Sequence, residues 1–173
     1  MNAIIFSGTI GSGKTSVAKE VARLLNAPRA SFGDYLRRVA GERGLDAANR
    51  EVLQDLGLEF IKHPRVFCAA VLSQASDWRL RTDLVIDGVR HAAALDALRQ
   101  LLSSANVLFV YMEPPPGALE ARRAERGDDP IALSHPVEQE ITSLRALADV
   151  IVNEDEDPEK SAVEVVSRLS RDP

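Results

Sequence analysis

The stretch Gly8-Thr9-Ile10-Gly11-Ser12-Gly13-Lys14-Thr15, directly behind the apolar run Ala3-Ile4-Ile5-Phe6-Ser7, constrains this chain more than any other feature. Its glycines let successive backbone N–H groups turn inward without Cβ clashes, which makes a nest for oxygen anions. The amphipathic pattern at 14–25 predicts a helix opening at the same point. A helix start adds free N–H groups and the positive end of its dipole. An apolar strand, a turn of the form G-x-x-x-x-G-K-[ST] and a helix together make a phosphate cradle. In such a cradle Gly8, Gly11, Ser12, Gly13, Lys14, Thr15 and Ser16 surround a nucleotide's phosphates. Lys14 reaches the β- and γ-phosphates, and the Thr15 hydroxyl helps hold Mg²⁺. The competing account is a glycine-rich turn that merely caps a helix. A chance match in a chain of this length arises on the order of once in a hundred, before the preceding strand is required.

Downstream, short apolar runs alternate with longer amphipathic ones. After the first strand, strands are predicted near 29–31 and at 84–87, 106–112 and 149–152. Helices are predicted at 34–43, 49–60, 64–76, 91–103, 118–125, 136–147 and 158–170. Continuously apolar strands separated by helices imply an α/β fold, a parallel sheet covered on both faces. Proline and charge collect at 113–116 and 126–136, which read as loops.

The 173 residues fit one domain with a substantial core. A net charge of −5 argues against a general grip on long nucleic acid, which rests on phosphate neutralisation. A small phosphorylated partner needs only local positive charge, and arginine outnumbers lysine heavily here. Its planar fork suits bidentate phosphate contacts. No run of 18 apolar residues exists, and the N-terminus carries no basic leader. With one cysteine, Cys68, a cytoplasmic protein without membrane partners is expected. The oligomeric state is not legible. GTP-specific switches need an N/T-K-x-D segment, and transport ATPases need a longer domain with a second glycine signature; neither is present.

Several later segments carry a resemblance. Ser31-Phe32-Gly33-Asp34-Tyr35-Leu36-Arg37 looks like the S-T-G-D-x-L-R segment of adenylate kinases, which contacts the acceptor monophosphate. Leu84-Val85-Ile86-Asp87-Gly88-Val89-Arg90 is similar to their D-G-F-P-R segment, one residue shorter and without the proline. Arg122-Arg123-Ala124-Glu125-Arg126 falls where their lid arginines fall. Arg50-Glu51-Val52-Leu53-Gln54-Asp55-Leu56-Gly57 also looks like phage-type deoxynucleoside monophosphate kinases. Ala148-Asp149-Val150-Ile151-Val152-Asn153 is similar to an ending seen in relatives of dephospho-coenzyme A kinase. The resemblance to P-loop nucleoside monophosphate kinases thus spans roughly 25–153. It implies a three-layer P-loop fold, with a five-stranded sheet in the order 2-3-1-4-5 and a helical lid. It also implies an acceptor-binding segment at about 32–76 and a lid at about 117–136.

Each candidate residue has a functional and a structural account. Asp87 ends an apolar strand, where a lone carboxylate is costly; it either orients water on Mg²⁺ or caps the helix at 91–103. Asp34 caps its own helix, binds a metal water or serves as general base. Arg37, three residues on and on a similar face, grips the acceptor's phosphate; Arg90 bridges donor and acceptor. Salt bridges compete with both readings. Arg122 and Arg126, four apart, close over the triphosphate or form an ion-paired solvated face. Gly127 supplies a stop or hinge, and Asn153 is placed near adenine by the resemblance alone. His63, His91 and His135 share no metal-ligand spacing with each other or with Cys68 and read as structural, and Trp78 as a cover for the sheet edge.

The expectation is an ATP- and Mg²⁺-dependent transfer of phosphate to a small nucleotide-type acceptor, either a nucleoside or a deoxynucleoside monophosphate. A hydroxyl kinase resembling dephospho-coenzyme A kinase, or a P-loop ATPase switch that transfers nothing, are the alternatives.

Overall fold

The computed structural model describes residues 1–75, 83–114, 136–153 and 157–169. Five parallel strands form one sheet: β1 (Asn2–Ser7), β2 (Arg29–Ser31), β3 (Asp83–Asp87), β4 (Asn106–Glu113) and β5 (Val150–Asn153). Their order is β2-β3-β1-β4-β5, as the resemblance implied. Among the described residues the helices are α1 (Lys14–Leu24), α2 (Phe32–Glu42), α3 (Arg50–Phe60), α4 (Pro64–Leu72), α5 (Ala92–Leu101), α6 (Pro136–Leu144) and α7 (Pro158–Leu169).

Because neighbouring residues of a strand face opposite ways, β1 splits its apolar run between two cores. Ile4 and Phe6 pack with Val85, Val110 and Met112 against Val17 and Val21 of α1 and Val165 of α7. Ala3 and Ile5 pack with Ile86 and Phe109 against Leu36, Phe67, Leu95 and Ile141 on the other side. The sheet is therefore covered on both faces, and the ends of β1 and β3 meet at one edge. Among the described residues, no helix is long and apolar enough to cross a membrane.

Several boundaries differ from the sequence reading for local reasons. Helix α2 begins at Phe32 because the Ser31 hydroxyl accepts the Asp34 N–H at 3.2 Å. Ser31 is thus the cap, and Asp34 lies inside the first turn. Helix α4 ends at Leu72 and passes into a turn instead of running to 76. Beyond α6 the chain tightens into a 3₁₀ turn, Arg145–Leu147. Strand β5 starts one residue late because Asp149 is spent on Phe109, whose N–H donates to its carboxylate at 2.7 Å.

Helix α5 has an unusual cap. It starts at Ala92, and Asp87 does not cap it, which overturns the structural account of that residue. The cap comes from α6: Glu140 accepts the Ala92 N–H at 2.9 Å, and its other oxygen lies 2.7 Å from His91 Nδ1. Glu140→Ala strands both groups and should lower stability by about 1–2 kcal/mol. Urea unfolding reads this directly, and an unchanged midpoint would show the cap to be idle.

Candidate functional site

The cradle at the end of β1 is held open by backbone that only glycine tolerates. At Gly8, φ is +148°, and an added Cβ would lie 2.6 Å from the Met112 carbonyl oxygen in β4. Gly13 takes the left-handed conformation (φ 69°) that turns the loop into α1. The Lys14 side chain is drawn inward, 9% exposed, with Nζ donating to the Thr9 carbonyl at 3.1 Å. The hydroxyls of Thr9 and Ser12 are buried with no hydrogen-bond partner on the protein. Such orphaned donors are costly unless a ligand satisfies them. Together with an N-terminal helix turn free of acidic residues, they fit a phosphate chain.

Asp87 sits at the end of β3, 2% exposed. The loop beyond it is tied to β1, since the Gly88 and Val89 N–H groups donate to Phe6 O and the Ser7 hydroxyl donates to Val89 O. Burial pushes the Asp87 carboxyl up, while the Lys14 charge, the Thr15 hydroxyl and the Arg29 guanidinium oppose that rise. Asp87 Oδ2 accepts from Arg29 at 3.2 Å, and Oδ1 is buried without a partner. An oxygen with open lone pairs next to a hydroxyl is the donor set a hard divalent cation takes. Asp87 and Thr15 therefore fit Mg²⁺.

From the cradle a cleft of about 390 Å³ runs toward α2 and α3. Gly11, Gly13, Lys14, Thr15 and Ser16 line its cradle end, with Asp34, Arg37, Asp87 and Arg90 beyond them. Two of the later segments singled out in the sequence, 31–37 and 84–90, thus meet at this cleft. Asp34 accepts from Arg29 at 2.6 Å on one oxygen and from Arg37 at 3.1 Å on the other. Partial burial pushes the Asp34 carboxyl up. The hydrogen bond and charge of Arg29, aided by Arg37 and Ser31, outweigh this and hold it below the usual carboxylate range. Arg38 diverges from Arg37, pairs with Glu42 and covers the Tyr35 ring.

Sequence reasoning gave no site role to several other lining residues, including those of the 50–57 segment. Arg50, Leu53, Gln54 and Gly57 of α3, with Phe67 and His91, complete the cleft wall. Arg29 ties the two carboxylates together. Asn153 ends β5, exposed and in register with Glu113, and does not line this cleft. Gly8 and Ser12 shape the loop without lining the cleft. Arg122, Arg126, Gly127 and Trp78 lie outside the described residues, as does all of the expected lid except Pro136. Cys68 is no nucleophile, because burial pushes its thiol up to about 12.

A glycine cradle closing β1, a carboxylate closing β3 and the 2-3-1-4-5 order define a P-loop nucleotide-binding fold of the kinase type. Over residues 4–143 the chain matches the family described as AAA domain, and it belongs to that family of P-loop kinases. It is 30% identical to a UPF0200 protein of Pyrococcus abyssi over 95% of each chain. To a cytidylate kinase of Pyrobaculum calidifontis it is 30% identical, over 64% of this chain and 76% of that one. Among solved structures, shikimate kinase from Acinetobacter baumannii in complex with shikimate superimposes with a TM-score of 0.63. That match covers 98% of this chain and 92% of the other at 18% identity, a likeness of fold alone.

Proposed function

We propose that this protein is a cytoplasmic kinase that moves the γ-phosphate of ATP onto a nucleoside or deoxynucleoside monophosphate. The observation that carries the choice of acceptor is Asp34, the carboxylate nearest in sequence to an acceptor grip. Paired to two arginines and held below its usual range, it is a poor proton acceptor. A hydroxyl acceptor needs a general base. A monophosphate is already ionised near neutral pH and needs positioning and charge neutralisation instead.

In this reading the loop amides, Lys14 and the hydroxyls around them hold the donor's phosphates. Thr15 and Asp87 would hold Mg²⁺, which would supply charge neutralisation to the donor's phosphates. Arg37 grips the acceptor's phosphate, within an acceptor-binding segment at about 32–76. An oxygen of that phosphate attacks the γ-phosphorus as the bond to the β–γ bridging oxygen breaks. ADP leaves, and a nucleoside diphosphate forms. Arg90 steadies the moving group, with Arg122 and Arg126 brought to it from a lid at about 117–136. Asn153 is assigned to the adenine side by resemblance.

A coupled ADP-release screen across ribo- and deoxynucleoside monophosphates, dephospho-coenzyme A and no acceptor tests this reading. Stimulation by a monophosphate is expected, and a flat response would leave an ATPase switch. In the same assay Asp34→Asn should keep turnover within about tenfold of the wild type. Loss of a working general base would cost roughly 10²–10⁴-fold, and such a loss with binding intact would point to a hydroxyl acceptor.

A further inference from the structure

Arg29 opens β2 and has no part in the transfer roles above. In the sheet it pairs with Val85, yet its guanidinium reaches Asp87, two residues further toward the strand ends. It lies between carboxylates from two elements, one nitrogen 3.2 Å from Asp87 Oδ2 and the other 2.6 Å from Asp34 Oδ2. Asp34 Oδ1 in turn lies 3.1 Å from Arg37 Nη1. Asp87, Asp34 and Arg37 line the cleft, whereas Arg29 does not. Whatever Arg29 does to a ligand, it does through these three.

We infer that Arg29 is a positioning residue for an anionic acceptor: it occupies one oxygen of each carboxylate, holds Asp34 to a single contact with Arg37, and so leaves the rest of the Arg37 guanidinium to the acceptor's phosphate. The inference rests on the monophosphate reading. Without Arg29, Asp34 keeps only Arg37 and Asp87 loses one of the positive charges near it, so more negative charge faces an incoming phosphate. Asp34, released, is free to take the Arg37 guanidinium on both oxygens, a fork-to-fork pair that competes with the acceptor. A planar guanidinium can span two carboxylates, and a lysine ammonium is a point charge suited to one. The donor end rests chiefly on loop amides and Lys14 and meets this chain of contacts only at Asp87.

Arg29→Gln should therefore raise the acceptor KM by roughly tenfold or more. The affinity for ATP should stay within about threefold, and kcat should change less than KM. Arg29→Lys should fall between the two. The double variant Arg29→Gln/Asp34→Asn should recover much of the acceptor affinity, because the carboxylate that competes for Arg37 is gone. A purely structural role for Arg29 moves neither the KM-against-kcat split nor the rescue. The inference is overturned by a folded Arg29→Gln protein with a wild-type acceptor KM, by equal losses for ATP and acceptor, or by a double variant no better than the single one. If no monophosphate stimulates the wild type, the kinase reading fails first. The bridge itself is then read by urea unfolding of the ligand-free protein, where coupled effects of Arg29→Gln and Asp34→Asn support it and additive effects refute it.

Discussion

Lys14→Met leaves a folded protein whose turnover with ATP falls about a thousandfold, the scale of removing one preorganised electrostatic contact from a transferring group. The side chain is already inside the loop, its ammonium donating to the Thr9 carbonyl, so little reorganisation separates the free protein from one gripping a phosphate. Methionine keeps a flexible stem of similar length and removes the charge together with its hydrogen bond to the Thr9 carbonyl. The thermal midpoint should consequently stay near that of the wild type while kcat collapses. Retention of more than a tenth of the turnover would mean that the negative charge of transfer develops somewhere else.

The second large effect is on the fold and the cradle together. Gly8→Ala adds one carbon, and that carbon meets the Met112 carbonyl oxygen at 2.6 Å and the Ser12 hydroxyl at the same distance. The hydroxyl can rotate away. The carbonyl cannot, because β4 is paired with β1 from Asn2 to Ser7 and with β5 beyond it. Backbone strain at φ +148° adds to the clash. The combined cost should be on the order of 3 kcal/mol in urea unfolding, with ATP binding weakened in parallel because the loop amides are displaced. An unchanged midpoint would show that the loop yields where the geometry says it is fixed.

Much of this site is written locally. The strand, glycine loop and helix at residues 2–24 obey short-range rules, and Asp34, Arg37, Asp87 and Arg90 stand out at strand ends and helix starts. Their convergence on one cleft follows once the strand order is known. That order is not encoded in the periodicity of any strand and was reached only through resemblance. What stayed hidden depends on distant pairs. Arg29 begins a strand of three residues, and one of its partners lies 58 positions away. The α5 cap is supplied by Glu140, 48 residues beyond Ala92, so the helix start carries no local signal. The 50–57 segment showed only as a resemblance, with no role given to Arg50 or Gln54. Only the packing of α3 beside α2 turns them toward the cleft.

The most direct test follows the phosphorus itself. Wild-type protein is incubated with Mg²⁺, γ-labelled ATP and, in turn, each nucleoside monophosphate, and the label is located by phosphorus NMR. The account predicts that the label appears at the β-position of a nucleoside diphosphate, at a rate that depends on which monophosphate is present. Label released only as inorganic phosphate, equally fast with and without acceptor, would contradict it.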